Sequence, residues 1–218
     1  MSIPNSHFVG WTAIIGGVVG VIGFVSLILL FVVGEPFGTL NDILSIPTAF
    51  LLLPLVVALY RLNAAEQSWL SLFALIAGLT GFISTAVGSV LLVSGRIDFD
   101  QSLIYGIGGF GLIGLWALLN SVMGLSEHAL PKALAWMGIL LGVTPTLALL
   151  AVFRANSVAN ALNGMAGQTA AGGQTNPMVY VLFMLGFISY AGLPIWFILI
   201  GRLFLSDRAL ISVTSAAG

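Results

Sequence analysis

Every charged side chain in this 218-residue sequence falls at or beyond the end of a long apolar segment. Six such segments stand out, at 10–33, 43–60, 69–93, 103–125, 133–153 and 178–201. Each runs to at least roughly 18 residues, which at about 1.5 Å per residue crosses a hydrocarbon core near 30 Å thick. Glu35 and Asp42 separate the first two, and Arg61 and Glu66 the next two. Arg96, Asp98 and Asp100 follow the third; Glu127 and Lys132 follow the fourth. Arg154 closes the fifth, and Arg202, Asp207 and Arg208 close the sixth. A charge at the middle of a membrane helix costs about 2.5–3.5 kcal/mol on insertion scales, so this exclusion is what lipid imposes. Barrel strands would be about 10 residues long with alternating polarity, which these are not. The expected fold is all-α: a polytopic transmembrane helical bundle of about six spans, forming one transmembrane domain over 1–218.

Composition agrees. Only 6% of residues are charged and 59% are hydrophobic, whereas a soluble domain carries about 25% charge to face water. A net charge of −1 provides no basic field for nucleic acid. There is no Cys, which excludes disulfides, thiolate metal sites and a Cys nucleophile. The first seven residues hold no Lys or Arg, and the apolar run behind them outlasts a signal-peptide core, so the first segment is expected to be a retained span.

An even number of spans places both termini on one side. That side collects Arg61, Lys132, Arg202 and Arg208, against Arg96 and Arg154 opposite, so the positive-inside rule puts both termini in the cytoplasm of a plasma-membrane protein. Trp11, Trp69 and Trp136 open the first, third and fifth segments on that same side, where indole rings favour the headgroup level. This spacing is compatible with three helix-hairpin repeats and equally with chance. The one long connection, 155–177, is rich in small and polar residues and reads as an outer loop, with a short helix around 155–162.

Candidate chemistry is sparse. Gly106-Ile107-Gly108-Gly109-Phe110-Gly111 matches a dinucleotide fingerprint in letters only, because it lies inside a span with no strand before it. Close helix approach is the expected use of those glycines and of the pairs Gly16/Gly20, Ala77/Gly81, Ser84/Gly88 and Thr85/Ser89. Polar residues within spans include Ser84, Thr85, Ser89, Asn120 and Tyr190. Asn120 is the costliest of these in lipid and should face the bundle, bonded to another helix. Pro54, Pro145 and Pro194 lie inside apolar segments, where kinks and freed carbonyls are expected. In the first outer turn, Asn41 or Asp42 is expected to cap the second helix, the other use of the turn's carboxylates, Glu35 and Asp42, being an outer cation site. Asp42 with Asp98 and Asp100 is the only carboxylate grouping. His7 and His128 both lie outside the membrane core. No catalytic, metal or cofactor set is predicted.

Three patches carry a resemblance: Pro36 to Asp42 (PFGTLND), Leu130 to Ile139 (LPKALAWMGI) and Pro194 to Leu203 (PIWFILIGRL). There the chain resembles a group of small six-span bacterial membrane proteins with no assigned activity. The resemblance implies a prokaryotic plasma membrane and nothing catalytic. The reading favoured by sequence is a non-enzymatic accessory, partner-binding or structural bundle, with membrane lipids and another membrane protein as partners. A transporter or channel for a neutral or lipophilic solute, built on Asn120 and the Ser/Thr stripe, is the alternative. A lipid-active enzyme is the third, and it lacks any visible pairing of nucleophile with base.

Overall fold

The computed structural model describes residues 5–64, 68–154 and 177–206. Among these the protein is all-helical, in six helices: α1 (Ser6–Val32), α2 (Phe37–Asn63), α3 (Ser68–Val93), α4 (Phe99–Ser126), α5 (Lys132–Arg154) and α6 (Pro177–Leu205). All six are long and apolar enough to span a membrane, and the chain is an integral membrane protein. The expected helix at 155–162 and the rest of that loop lie outside the described residues. At 27 residues each, α1 and α2 are about 40 Å long. That length covers the hydrocarbon core and part of both headgroup layers. The helices therefore outrun the apolar segments at several ends: the interfacial turns tolerate charge while the backbone stays hydrogen-bonded.

Successive helices pack antiparallel, and α6 packs on both α5 and α1, closing the six into a ring in chain order. We call the end where α1, α3 and α5 begin the base, and the opposite end the top. The glycines set the ring's tightness. A Cβ on Gly10 would sit 2.8 Å from the Gly201 carbonyl, joining α1 to α6. One on Gly81 would sit 2.8 Å from the Gly109 carbonyl, joining α3 to α4, and one on Gly114 would sit 2.9 Å from the Gly142 carbonyl, joining α4 to α5. In lipid no hydrophobic drive pulls helices together, so close backbone approach and van der Waals contact must do it. Bulky side chains are left facing outward: Phe8, Trp11, Ile15, Val18, Ile22 and Val25 form an exposed stripe on α1, while Gly10, Ala13, Gly16, Gly17 and Gly23 are buried.

The prolines follow the same logic. Pro145 is fully buried, with its ring against Gly114, and Pro194 seats its ring against Gly20 of α1. Gly16 of α1 faces Leu52 of α2. In the fingerprint-like run, Gly109 and Gly111 face backbone carbonyls of α3 and α5, whereas Gly106 and Gly108 meet nothing within 4 Å among the described residues. Close approach thus uses two of those four glycines.

Candidate functional site

The interior of the ring carries an aromatic column. Phe82 of α3, Trp116 of α4, and Trp196 and Phe197 of α6 are all buried. Their ring centroids stand 5.7 Å apart for Phe82–Trp116, 5.8 Å for Trp116–Trp196 and 5.8 Å for Trp196–Phe197, each edge-on. Edge-to-face geometry aims the positive ring edge at a negative face, adding attraction to the contact. Trp196 also donates its indole N–H to the Leu134 carbonyl of α5 at 2.9 Å.

Below the column, towards the base, lies a buried amide pair. Asn120 donates through Nδ2 to the Trp116 carbonyl at 2.8 Å and accepts on Oδ1 from Asn63 Nδ2 at 3.0 Å. Both residues are buried. Asn120 therefore faces the bundle and bonds another helix, as its cost in lipid demands. Three buried polar atoms here have no hydrogen-bond partner among the described residues: Asn63 Oδ1, Trp116 Nε1 and Ser121 Oγ.

Above the column, towards the top, Tyr190 of α6 packs its ring on Phe24 of α1 and Phe110 of α4, with centroids 6.1 and 5.3 Å away. Its hydroxyl donates to Asn41 Oδ1 of α2 at 3.1 Å. Ser45 Oγ donates to the Asn41 carbonyl at 2.9 Å one turn deeper. Two candidates from separate parts of the sequence, Asn41 and Tyr190, thus meet. Asp42 follows on the same turn of α2 and is half-buried.

The cap expectation for Asn41 and Asp42 is overturned. Helix α2 begins at Phe37, so both lie inside it, and the orphan amide is met by Glu35, whose Oε2 accepts from Thr39 N–H at 3.3 Å and Thr39 Oγ1 at 3.1 Å. Starting the helix a turn earlier frees the Asn41 side chain to reach α6. The Ser/Thr stripe of α3 turns to backbone carbonyls, on its own helix for Thr85 and on α4 for Ser84. Thr85 donates to its own helix at the Gly81 carbonyl, 3.0 Å away, Ser84 makes a long 3.5 Å contact to the Tyr105 carbonyl, and Ser89 is buried. Such back-bonding satisfies a hydroxyl without building a site. Asp98 is spent on a reciprocal capping box: its Oδ1 accepts from Gln101 N–H at 2.8 Å, and Gln101 Oε1 accepts from Asp98 N–H at 3.3 Å. Among the described residues no three His, Asp or Glu side chains converge as a metal would require.

Asn63, Trp116 and Trp196 were not picked out from sequence. Asn63 stands two residues past Arg61 and looked like loop; the helix carries on through it. The available signal was its neutral amide, which can turn inward where Arg61 cannot. No protein-family model, curated protein or solved structure matches the chain.

Proposed function

We propose that this chain is a non-enzymatic accessory or structural bundle of a bacterial plasma membrane, acting through its lipid-facing sides and loops on lipids or another membrane protein. The observation that carries the reading is the aromatic column: Phe82, Trp116, Trp196 and Phe197 occupy the middle of the ring, where a solute path would run. Interior carboxylates, the usual hardware of proton-coupled transport, are missing from the six apolar segments. The bacterial setting rests on the resemblance of the three patches above. Cytoplasmic termini rest on Arg61, Lys132 and Arg202 at the base against Arg96 and Arg154 at the top. Purification in mild detergent with mass spectrometry of the intact assembly tests this. A mass above the monomer, with a second polypeptide or retained lipid, is expected; a bare monomer overturns it.

Solute passage is the second reading, favoured by the unspent Asn63 Oδ1, Trp116 Nε1 and Ser121 Oγ on one side of the column and the Asn41–Tyr190 pair on the other. Swelling of reconstituted liposomes in glycerol or urea separates the two. Swelling at the protein-free rate is expected; faster swelling that a Trp116→Ala variant alters supports passage instead.

A further inference from the structure

Pro54 differs from the two prolines that seat on glycines. Instead of seating on a neighbouring helix it lines a groove of about 420 Å³ between α1 and α2. Phe50, Pro54, Val57 and Arg61 of α2 form one wall, and Asn5, just before α1, and Phe8 of α1 belong to the other. The α2 residues recur every three or four positions, so they lie on a single stripe descending to the base. Pro54 has no N–H to donate to the Phe50 carbonyl four residues earlier, and Phe50 belongs to the same wall. Phe8 and Phe50 are exposed on the outer surface of the ring. The groove therefore opens sideways into lipid, not into the ring.

From Phe50 to Arg61 the wall is about 16 Å long at 1.5 Å per residue. Along that length the α2 wall carries only apolar side chains, Phe50, Leu53, Pro54, Val57 and Ala58, until it reaches Arg61, the order of an acyl chain followed by a charged headgroup. At its lower end stands Arg61, in the last turn of α2, exposed and with no carboxylate partner among the described residues. A guanidinium at the headgroup level with no carboxylate partner among the described residues is complementary to a phosphate, which it binds through a planar fork of N–H donors. Trp11, exposed one turn above Phe8, belongs to the same interfacial stretch.

We infer that the α1–α2 groove is a binding site for one anionic phospholipid, with an acyl chain along Phe50, Pro54 and Val57 and its phosphate on Arg61. The site is independent of whether the ring interior conducts. It is tested with the full chain in mild detergent, by native mass spectrometry against equimolar phosphatidylglycerol and phosphatidylcholine of identical chains. About fivefold more phosphatidylglycerol adduct is expected, the factor for one Arg near an anionic headgroup. Arg61→Gln should bring the two lipids to parity, Arg61→Lys should keep most of the preference, and Arg202→Gln, an exposed base arginine outside the groove, should leave it unchanged. Val57→Trp fills the groove and should lower adducts of both lipids. Because Arg61 is exposed, its variants report even where Val57→Trp does not fold. Equal adducts in the parent chain, a preference that survives Arg61→Gln, or equal losses from Arg61→Gln and Arg202→Gln overturn the site. So does a co-purifying polypeptide that Val57→Trp releases while lipid adducts stay the same.

Discussion

Asn63 at the end of α2 and Asn120 in α4 bond side chain to side chain at 3.0 Å, joining two helices that are not neighbours in the ring. Replacing Asn120 with Leu strands the Asn63 amide in an apolar interior. A buried group left without its partner costs about 1–3 kcal/mol, although bonds between membrane helices average only about 0.6 kcal/mol and reach at most about 1.7. Asn120→Leu should therefore destabilise more than the bond itself is worth, and Asn63→Leu added on top should recover part of the loss. Reversible unfolding in mixed micelles gives the double-mutant cycle. A coupling below about 0.3 kcal/mol, the range of independent sites, removes the pair from the account of stability.

The glycine-rich run in α4 permits a sharper contrast. A Cβ at Gly109 meets the Gly81 carbonyl at 2.8 Å, and backbone on both sides cannot yield. Gly109→Ala should cost about 1–3 kcal/mol, as overpacking does. Gly106 meets nothing within 4 Å among the described residues, so Gly106→Ala should be neutral or stabilising by up to about 1 kcal/mol, the helix-propensity difference. Thermal transitions in one detergent read both. Equal losses would mean that the glycines act through backbone flexibility and not through helix contact.

Membrane architecture was legible in the sequence because charge exclusion from lipid is close to all-or-none, and residues as far apart as Glu35 and Arg202 obey it together. Closure of the ring in chain order was not. It depends on which small residues meet, and Gly109 and Gly106 look alike as letters. The polar interior was half legible. Asn120 announces itself by its cost in lipid, but its partner Asn63 hides behind Arg61 in what looked like loop. Asn41 and Tyr190 were each visible as polar outliers, yet 149 positions separate them and nothing local marks their meeting. Glu35 took over the capping role because α2 starts at Phe37, and helix starts are the least certain feature of any sequence pattern.

The five tryptophans divide into two optical classes. Trp11, Trp69 and Trp136 are exposed by 56%, 76% and 54%, all near the base, while Trp116 and Trp196 are fully buried. In bilayers of lipids brominated near the headgroup, most quenching should come from the first three. A variant carrying Phe at positions 11, 69 and 136 should keep its emission almost unchanged on bromination. Strong residual quenching would show lipid reaching the aromatic column, and the ring would then be open between two helices.

The Tyr190 hydroxyl is the polar part of a largely aromatic set of contacts, and it faces the side chains of both Asn41 and Ser45 on α2. Tyr190→Phe keeps the ring contacts with Phe24 and Phe110 and removes the hydroxyl that bonds Asn41 and faces Ser45. A neutral hydrogen bond is worth about 1 kcal/mol net, and Asn41 Oδ1 is left without that donor, so a loss of about 1–2 kcal/mol is expected. Asn41→Leu removes the acceptor and leaves the phenol buried, with a similar loss. If the pair is a tie between α2 and α6, the double variant should lose less than the two singles together. Strict additivity would make each residue's effect its own packing, and α2 would then not be tied to α6 through this hydrogen bond.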